Sequence, residues 1–142
     1  VYQDKISEEI EELDNEAMRQ GREFEDYVAK RFMEATGKKV RRANAIFYHE
    51  KYPFMLADVD RMVVGENAGL ECKTASPYMA DKWENGKIPL SYQIQCYHYM
   101  TVCGADAWYI AVVIFGKGFR YYKLERDEEM IADLIRIEQD FW

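Results

Sequence analysis

Four side chains of this chain could do chemistry by their types and spacing: Asp58, Asp60, Glu71 and Lys73. The segment from Leu56 to Val64 reads as a strand. Gly65-Glu66-Asn67-Ala68-Gly69 reads as its turn, and Leu70 to Lys73 opens a second strand. Side chains alternate faces along a strand, so Glu71 and Lys73 point one way and Cys72 the other. Asp58 and Asp60 share a face by the same rule. With a tight turn, Asp60 lies across from Glu71 or within one diagonal of it. Two carboxylates and an ammonium then converge on one spot, which suits a hard divalent cation and the chemistry it supports. The competing reading is an exposed hairpin face with a surface salt bridge, worth little to stability. The apolar flanks of both strands tilt the balance, because acids among such residues are costly without a neutralising cation.

The chemistry such a site supports is phosphodiester hydrolysis. Asp60 and Glu71 would hold one or two Mg²⁺ ions, with the backbone carbonyl of Cys72 as a further oxygen ligand. Lys73 would orient or help deprotonate the attacking water, or stabilise developing charge. Oxygen donors favour Mg²⁺, with Mn²⁺ as a substitute, and argue against zinc. Glu25 lies beside the apolar stripe of Phe24, Val28 and Phe32 on a long helical segment, and taken alone it reads as a solvated helix glutamate. Gln93 and Gln95, in the helical stretch Ser91 to Met100, likewise read as helix surface. His49 and His98 have no partner at ligand spacing. His98 reads as helix packing and His49 as a loop or strand edge.

The elements that must position these groups follow from periodicity. Apolar residues at helical spacing predict a helix from about Ser7 to Thr36, with Gly21 as a point where it could divide and Gly37 as its stop. Val40 to Tyr48 favours extended structure, and Pro53 opens the acidic strand. Ala75 to Ile88 carries Ser-Pro and Asn-Gly and reads as a loop. Pro89 and Ser91 introduce a helix through about Val102, ended at Gly104. Ala107 to Phe115 is a continuous apolar run, the pattern of a buried central strand. Gly116-Lys117-Gly118 turns the chain, Phe119 to Glu125 returns, and Asp127 can cap a last helix. The order implies an α/β fold, a central mixed β-sheet flanked by helices, in one domain over residues 1–142.

Composition sets the outer limits. The chain has 142 residues, 49% apolar and 15% aromatic, enough to bury a core. A net charge of −7 argues against broad electrostatic adhesion to nucleic acid, yet not against a nuclease whose acids carry bound cations. Positive charge is grouped at Lys38, Lys39, Arg41 and Arg42, and again at Lys82 and Lys87. These are candidate DNA contacts or ordinary solvated surface. The three cysteines, Cys72, Cys96 and Cys103, form no close-spaced metal pair and read as free core thiols in a cytoplasmic protein. No apolar run approaches a membrane span and no signal peptide opens the chain, which begins at Val1 rather than Met.

Taken together, the motifs resemble the lambda exonuclease or YqaJ-type viral recombinase branch of the PD-(D/E)XK nucleases. Gly21-Arg22-Glu23-Phe24-Glu25 followed by Phe32 and Thr36-Gly37 is similar to the family's G-x-x-x-E helix and the turn that ends it. Asp60, after Ala57-Asp58-Val59, stands where the family has its Pro-Asp. Gly69-Leu70-Glu71-Cys72-Lys73 matches G-L-E-x-K, and Tyr92-Gln93-Ile94-Gln95 resembles the Q-x-Q helix. The resemblance spans nearly the whole chain and implies a restriction-endonuclease-like core. It implies Asp60 and Glu71 as metal ligands, Lys73 as the catalytic lysine, Glu25 as the helix acid facing the site and Gln93 as the glutamine near it.

Two departures stand out. Val59 replaces the family's proline, and Asp58 is an extra acid and the alternative ligand. The family's N-terminal Gly-Gly-Ser-Asp segment is absent, which leaves a trimmed chain or a different handling of DNA ends. The function implied is a Mg²⁺-dependent 5′ to 3′ exonuclease on double-stranded DNA with a free end. It would serve phage-type recombination in a bacterial or phage-encoded setting, beside a single-strand annealing protein and in a ring-shaped homotrimer. The alternatives are an endonuclease of the same fold in restriction or defence, and a DNA-binding module without catalysis.

Overall fold

Short apolar strands alternating with longer amphipathic segments build a layered α/β structure. The computed structural model describes residues 2–141, with side chains described from Asn15 onward. The elements are α1 (Tyr2–Thr36), β1 (Val40–Tyr48), β2 (Leu56–Val63), β3 (Ala68–Ala75), a 3₁₀ helix (Pro77–Trp83), α2 (Leu90–Cys103), β4 (Ala107–Ile114), β5 (Gly118–Glu125) and α3 (Glu128–Phe141). The strands form one sheet in the order β1-β2-β3-β4-β5, with β3 and β4 parallel and the other neighbours antiparallel. The parallel pair needs a crossover, which α2 supplies.

Each face of the sheet packs a helix. Val28, Ala29 and Phe32 of α1 bury against Leu70, Cys72, Tyr109 and Ala111. On the opposite face, Cys96 and Met100 of α2 bury with Trp83, Trp108, Ile110 and Val112. Seven of the eight β4 residues are buried, as its unbroken apolar run predicts for a central strand covered on both faces. Gly104 closes α2 in the left-handed region at φ 66°, its N–H bonded to the Met100 carbonyl. Asp127 caps α3 through Oδ1, which accepts the N–H groups of Glu129 and Met130 at 3.0 and 3.2 Å.

Three local features depart from expectation. Helix α1 runs unbroken through Gly21, because one glycine costs about 1 kcal/mol in a helix, too little to divide one of 35 residues. The stretch read as loop contains the 3₁₀ helix, whose Trp83 is buried in the core on the α2 side. Most consequential for the site, β1 carries a bulge. Arg42 pairs with Arg61 and Ala45 with Val59, so Ala43 and Asn44 together face Asp60. Asn44 takes φ 45° there. Bulges add twist and re-aim side chains. Strict alternation would put Ala57, Val59, Arg61 and Val63 on one face. Instead Ala57 and Val59 join the α2-side core, while Val63 joins the α1-side core and Arg61 meets α1. The change of side falls at Asp60.

Candidate active site

Strand β3 puts Glu71 and Lys73 on the face covered by α2, opposite in parallel register to Ile110 and Val112 of the α2-side core. Lys73 Nζ lies 3.4 Å from Glu71 Oε1, and each side chain keeps only 21% of its exposure. The Lys73 ammonium also sits over the Tyr92 ring, 4.5 Å from its centroid. Met62 of β2 pairs with Gly69 of β3, a register that brings Asp60 toward Glu71 on the neighbouring strand. Asp60 is exposed, and its negative charge acts on Glu71.

Burial raises the Glu71 carboxyl above its ordinary value. Lys73 and a hydrogen bond from Tyr99 oppose that rise, and Asp60 adds to it. Tyr99 is pushed up in turn, by burial first and by the Glu71 charge next. A carboxylate drawn out of water beside a second carboxylate, with one lysine between them and neutrality, has a demand for further positive charge. The donor set therefore fits a hard divalent cation. Among the described residues, no three His, Cys, Asp or Glu side chains gather as a metal cage. Mg²⁺ does not require one, because it is commonly held by one or two carboxylates with waters and substrate phosphates. The Cys72 thiol is buried on the α1 side and pushed up to about 12 by burial, so residue 72 can offer the Glu71 side only its main-chain carbonyl.

Behind these groups stands an aromatic wall. The Trp108 indole lies directly over Gly69, its register partner, where a Cβ would come within 2.1 Å of the ring. Trp108 packs on Tyr99 with centroids 5.1 Å apart, and Tyr99 reaches Glu71. The glycine of Gly69-Leu70-Glu71-Cys72-Lys73 thus leaves room for the indole that backs the site. Tyr92, Cys96 and Tyr99 recur at helical spacing on α2, a pattern that could have flagged this wall from sequence.

The other candidates lie apart from this cluster or in local bonds. Glu25 and Asp26 of α1 meet Arg61, Glu25 at 3.7 Å and Asp26 at 2.5 Å. Arg61 is 5% exposed, a charged side chain among inward-facing positions of β2. Gln93 Nε2 donates to the Ile88 carbonyl at 2.8 Å, at the start of α2. Asp58 is exposed on β2. Lys38 is taken up by Glu66 at 2.6 Å and Arg42 by Asp26, while Arg41, Lys82 and Lys87 are exposed. His49 Nδ1 accepts the N–H groups of Lys51 and Tyr52, both at 3.0 Å, and so shapes the β1–β2 turn. His98 joins three elements, with Nε2 at 2.6 Å from the Leu56 carbonyl and Nδ1 at 2.8 Å from Glu138. Cys72, Cys96 and Cys103 are free thiols.

A model of the YqaJ-like viral recombinase domain matches residues 1–106. The chain belongs to this family. YqaJ of Bacillus subtilis (strain 168), an uncharacterized protein, is 47% identical over 135 residues, covering 94% of this chain and 42% of that protein. The chain thus spans less than half of its YqaJ relative. The fold of this YqaJ-family domain is that of phage-type exonucleases. An alkaline exonuclease from Laribacter hongkongensis superposes with a TM-score of 0.73 at 20% identity, over 84% of this chain and 63% of that one. The same enzyme has been crystallised in complex with dAMP. A phage-related exonuclease from Haemophilus somnus 129PT superposes with a TM-score of 0.65 at 17% identity, over 84% of this chain and 65% of that one.

Proposed function

We propose that this chain forms the catalytic domain of a Mg²⁺-dependent deoxyribonuclease acting 5′ to 3′ on double-stranded DNA with a free end. The observation that carries the reading is Lys73 3.4 Å from a largely buried Glu71 that also feels the charge of Asp60 on the neighbouring strand. Membership of a viral recombinase family and the dAMP complex of a structurally similar exonuclease support it.

Asp60, Glu71 and the Cys72 carbonyl are the groups that would hold the ion. When bound, Mg²⁺ would supply a more acidic water and offset the charge that builds on the scissile phosphate. Lys73 directs its ammonium at the same point and orients the attacking water or donates to a phosphate oxygen. Tyr92 and Tyr99 hold Lys73 and Glu71 in place and keep bulk water off the α2 side. By family resemblance Glu25 and Gln93 serve the site from their helices. Exposed Arg41, Lys82 and Lys87 are the candidate backbone contacts, and Lys38 and Arg42 would first have to leave Glu66 and Asp26. A ring of three copies and a single-strand annealing partner complete the reading.

The test is digestion of linear and of covalently closed duplex, each with and without Mg²⁺, by wild type and Glu71→Gln. Exonuclease action predicts Mg²⁺-dependent loss of the linear substrate only, and its absence in the variant. Nicking of the closed circle would assign an endonuclease. No cleavage of either substrate, with DNA binding retained in Lys73→Ala, would leave a binding module.

A further inference from the structure

Asp60 sits where the sheet holds it least. On one side lies the β1 bulge, where two residues face this one. On the other, the β2–β3 pairing is carried by Met62 and Gly69, short of Asp60. Regular ladders fix the direction of a side chain, and here neither neighbour supplies one at residue 60.

The next residue is held from another layer. Arg61 and Arg42 are cross-strand partners, and like charges directly opposite repel. Asp26 resolves the conflict from α1, because its Oδ1 contacts both guanidinium groups. Glu25 adds a second carboxylate 3.7 Å from Arg61. A buried guanidinium requires such partners, so the clasp is stringent. It pins the β2 backbone to α1 one residue after Asp60, beside the bulge.

We propose that Asp26 acts through Arg61 as a positioning residue for Asp60, and thereby sets the affinity for the divalent ion without ligating it. The proposal rests on the metal-dependent reading above. The clasp also neutralises Arg61, whose unpaired charge beside Asp60 would repel a divalent ion.

The experiment is calorimetric titration of the chain with Mn²⁺ alone. It compares wild type, Asp60→Asn, Asp26→Asn, Arg61→Met and the Asp26→Asn/Arg61→Met double variant, with thermal melts of each. Partners outside the ligand shell typically contribute about 10–100-fold to metal affinity. Asp26→Asn and Arg61→Met should each weaken Mn²⁺ binding on that scale. The double variant should bind no more weakly than Arg61→Met, since both changes open one clasp. In cleavage assays the Mn²⁺ concentration for half-maximal rate should rise with the rate at saturating Mn²⁺ retained, which a loss of stability alone would not produce. Wild-type affinity in Asp26→Asn, or multiplying effects in the double variant, would overturn the proposal. If Arg61→Met does not fold, Asp26→Asn at its half-exposed position and Arg61→Lys decide. An Asp60→Asn variant that binds Mn²⁺ as wild type does would instead remove the metal reading beneath it.

Discussion

Gly69→Ala puts the backing of the site to a direct test. A Cβ at residue 69 would lie 2.1, 2.3 and 2.5 Å from three atoms of the Trp108 ring, where ordinary contact begins at 3.4 Å. The indole must retreat by more than an ångström, yet it is 1% exposed and walled by Tyr99. Forcing an extra methyl into such packing costs roughly 1–3 kcal/mol, and the rigid ring places this case at the upper end. For a domain of this size that lowers the melting temperature by roughly 5–10 °C. Trp108 moves against Tyr99 and Tyr99 against Glu71, so Mn²⁺ affinity should fall as well. Melts by circular dichroism would be run for Gly69→Ala, Trp108→Phe and the pair. The smaller phenyl ring leaves room for the methyl, so Gly69→Ala should cost little in the Trp108→Phe background. A Gly69→Ala protein that melts within about 1 °C of wild type would refute the reasoning. An equal penalty in both backgrounds would do the same.

Other perturbations have definite signs. Burial raises the Glu71 carboxyl, so the folded chain holds that proton more tightly than the unfolded chain. Stability then falls as pH rises between the unfolded and folded values, and above both the ionised group is destabilising. Metal-free Glu71→Gln should therefore melt higher than wild type at pH 8, with the difference closing on acidification below the ordinary carboxylate range. Mn²⁺ should raise the wild-type melt and leave the variant where it is. Asp127→Ala removes the acceptor for two N–H groups at the start of α3 and should lower unfolding free energy by about 1 kcal/mol in urea titrations. Burial pushes the Cys72 and Cys96 thiols up to about 12 and Cys103 to about 11. Ellman's reagent should modify Cys103 first and the other two only in denaturant.

Much of this arrangement was legible in the residues. The element order follows from periodicity and from Gly and Pro punctuation, with Gly37, Gly104 and Asp127 marking ends that the backbone confirms. The facing of Glu71 and Lys73 follows from the period of two, and the antiparallel pairing of β2 with β3 from the short turn between them. What alternation could not supply was the bulge at Ala43 and Asn44. An extra residue in one strand leaves no periodic trace, yet it turns β2 from one core to the other at Asp60. Arg61 was equally hidden. A basic residue beside an acid reads as a surface pair, and its burial depends on Asp26, 35 residues earlier, reaching across from another layer. The 3₁₀ helix escaped for a related reason, since Ser-Pro and Asn-Gly punctuate its ends while only Ala80 and Trp83 bury in the core.

The sequential strand order has a kinetic consequence. β1–β2, β2–β3 and β4–β5 are local hairpins that can close early, whereas β3 meets β4 only after residues 76–106 have folded back across the sheet. Closing so long an excursion is entropically slow. Glu71 and Lys73 lie on the strand that waits for it, and their aromatic backing comes from both α2 and β4. A nascent or partly folded chain can therefore possess all three hairpins while Glu71 and Lys73 still lack the Tyr99 and Trp108 backing.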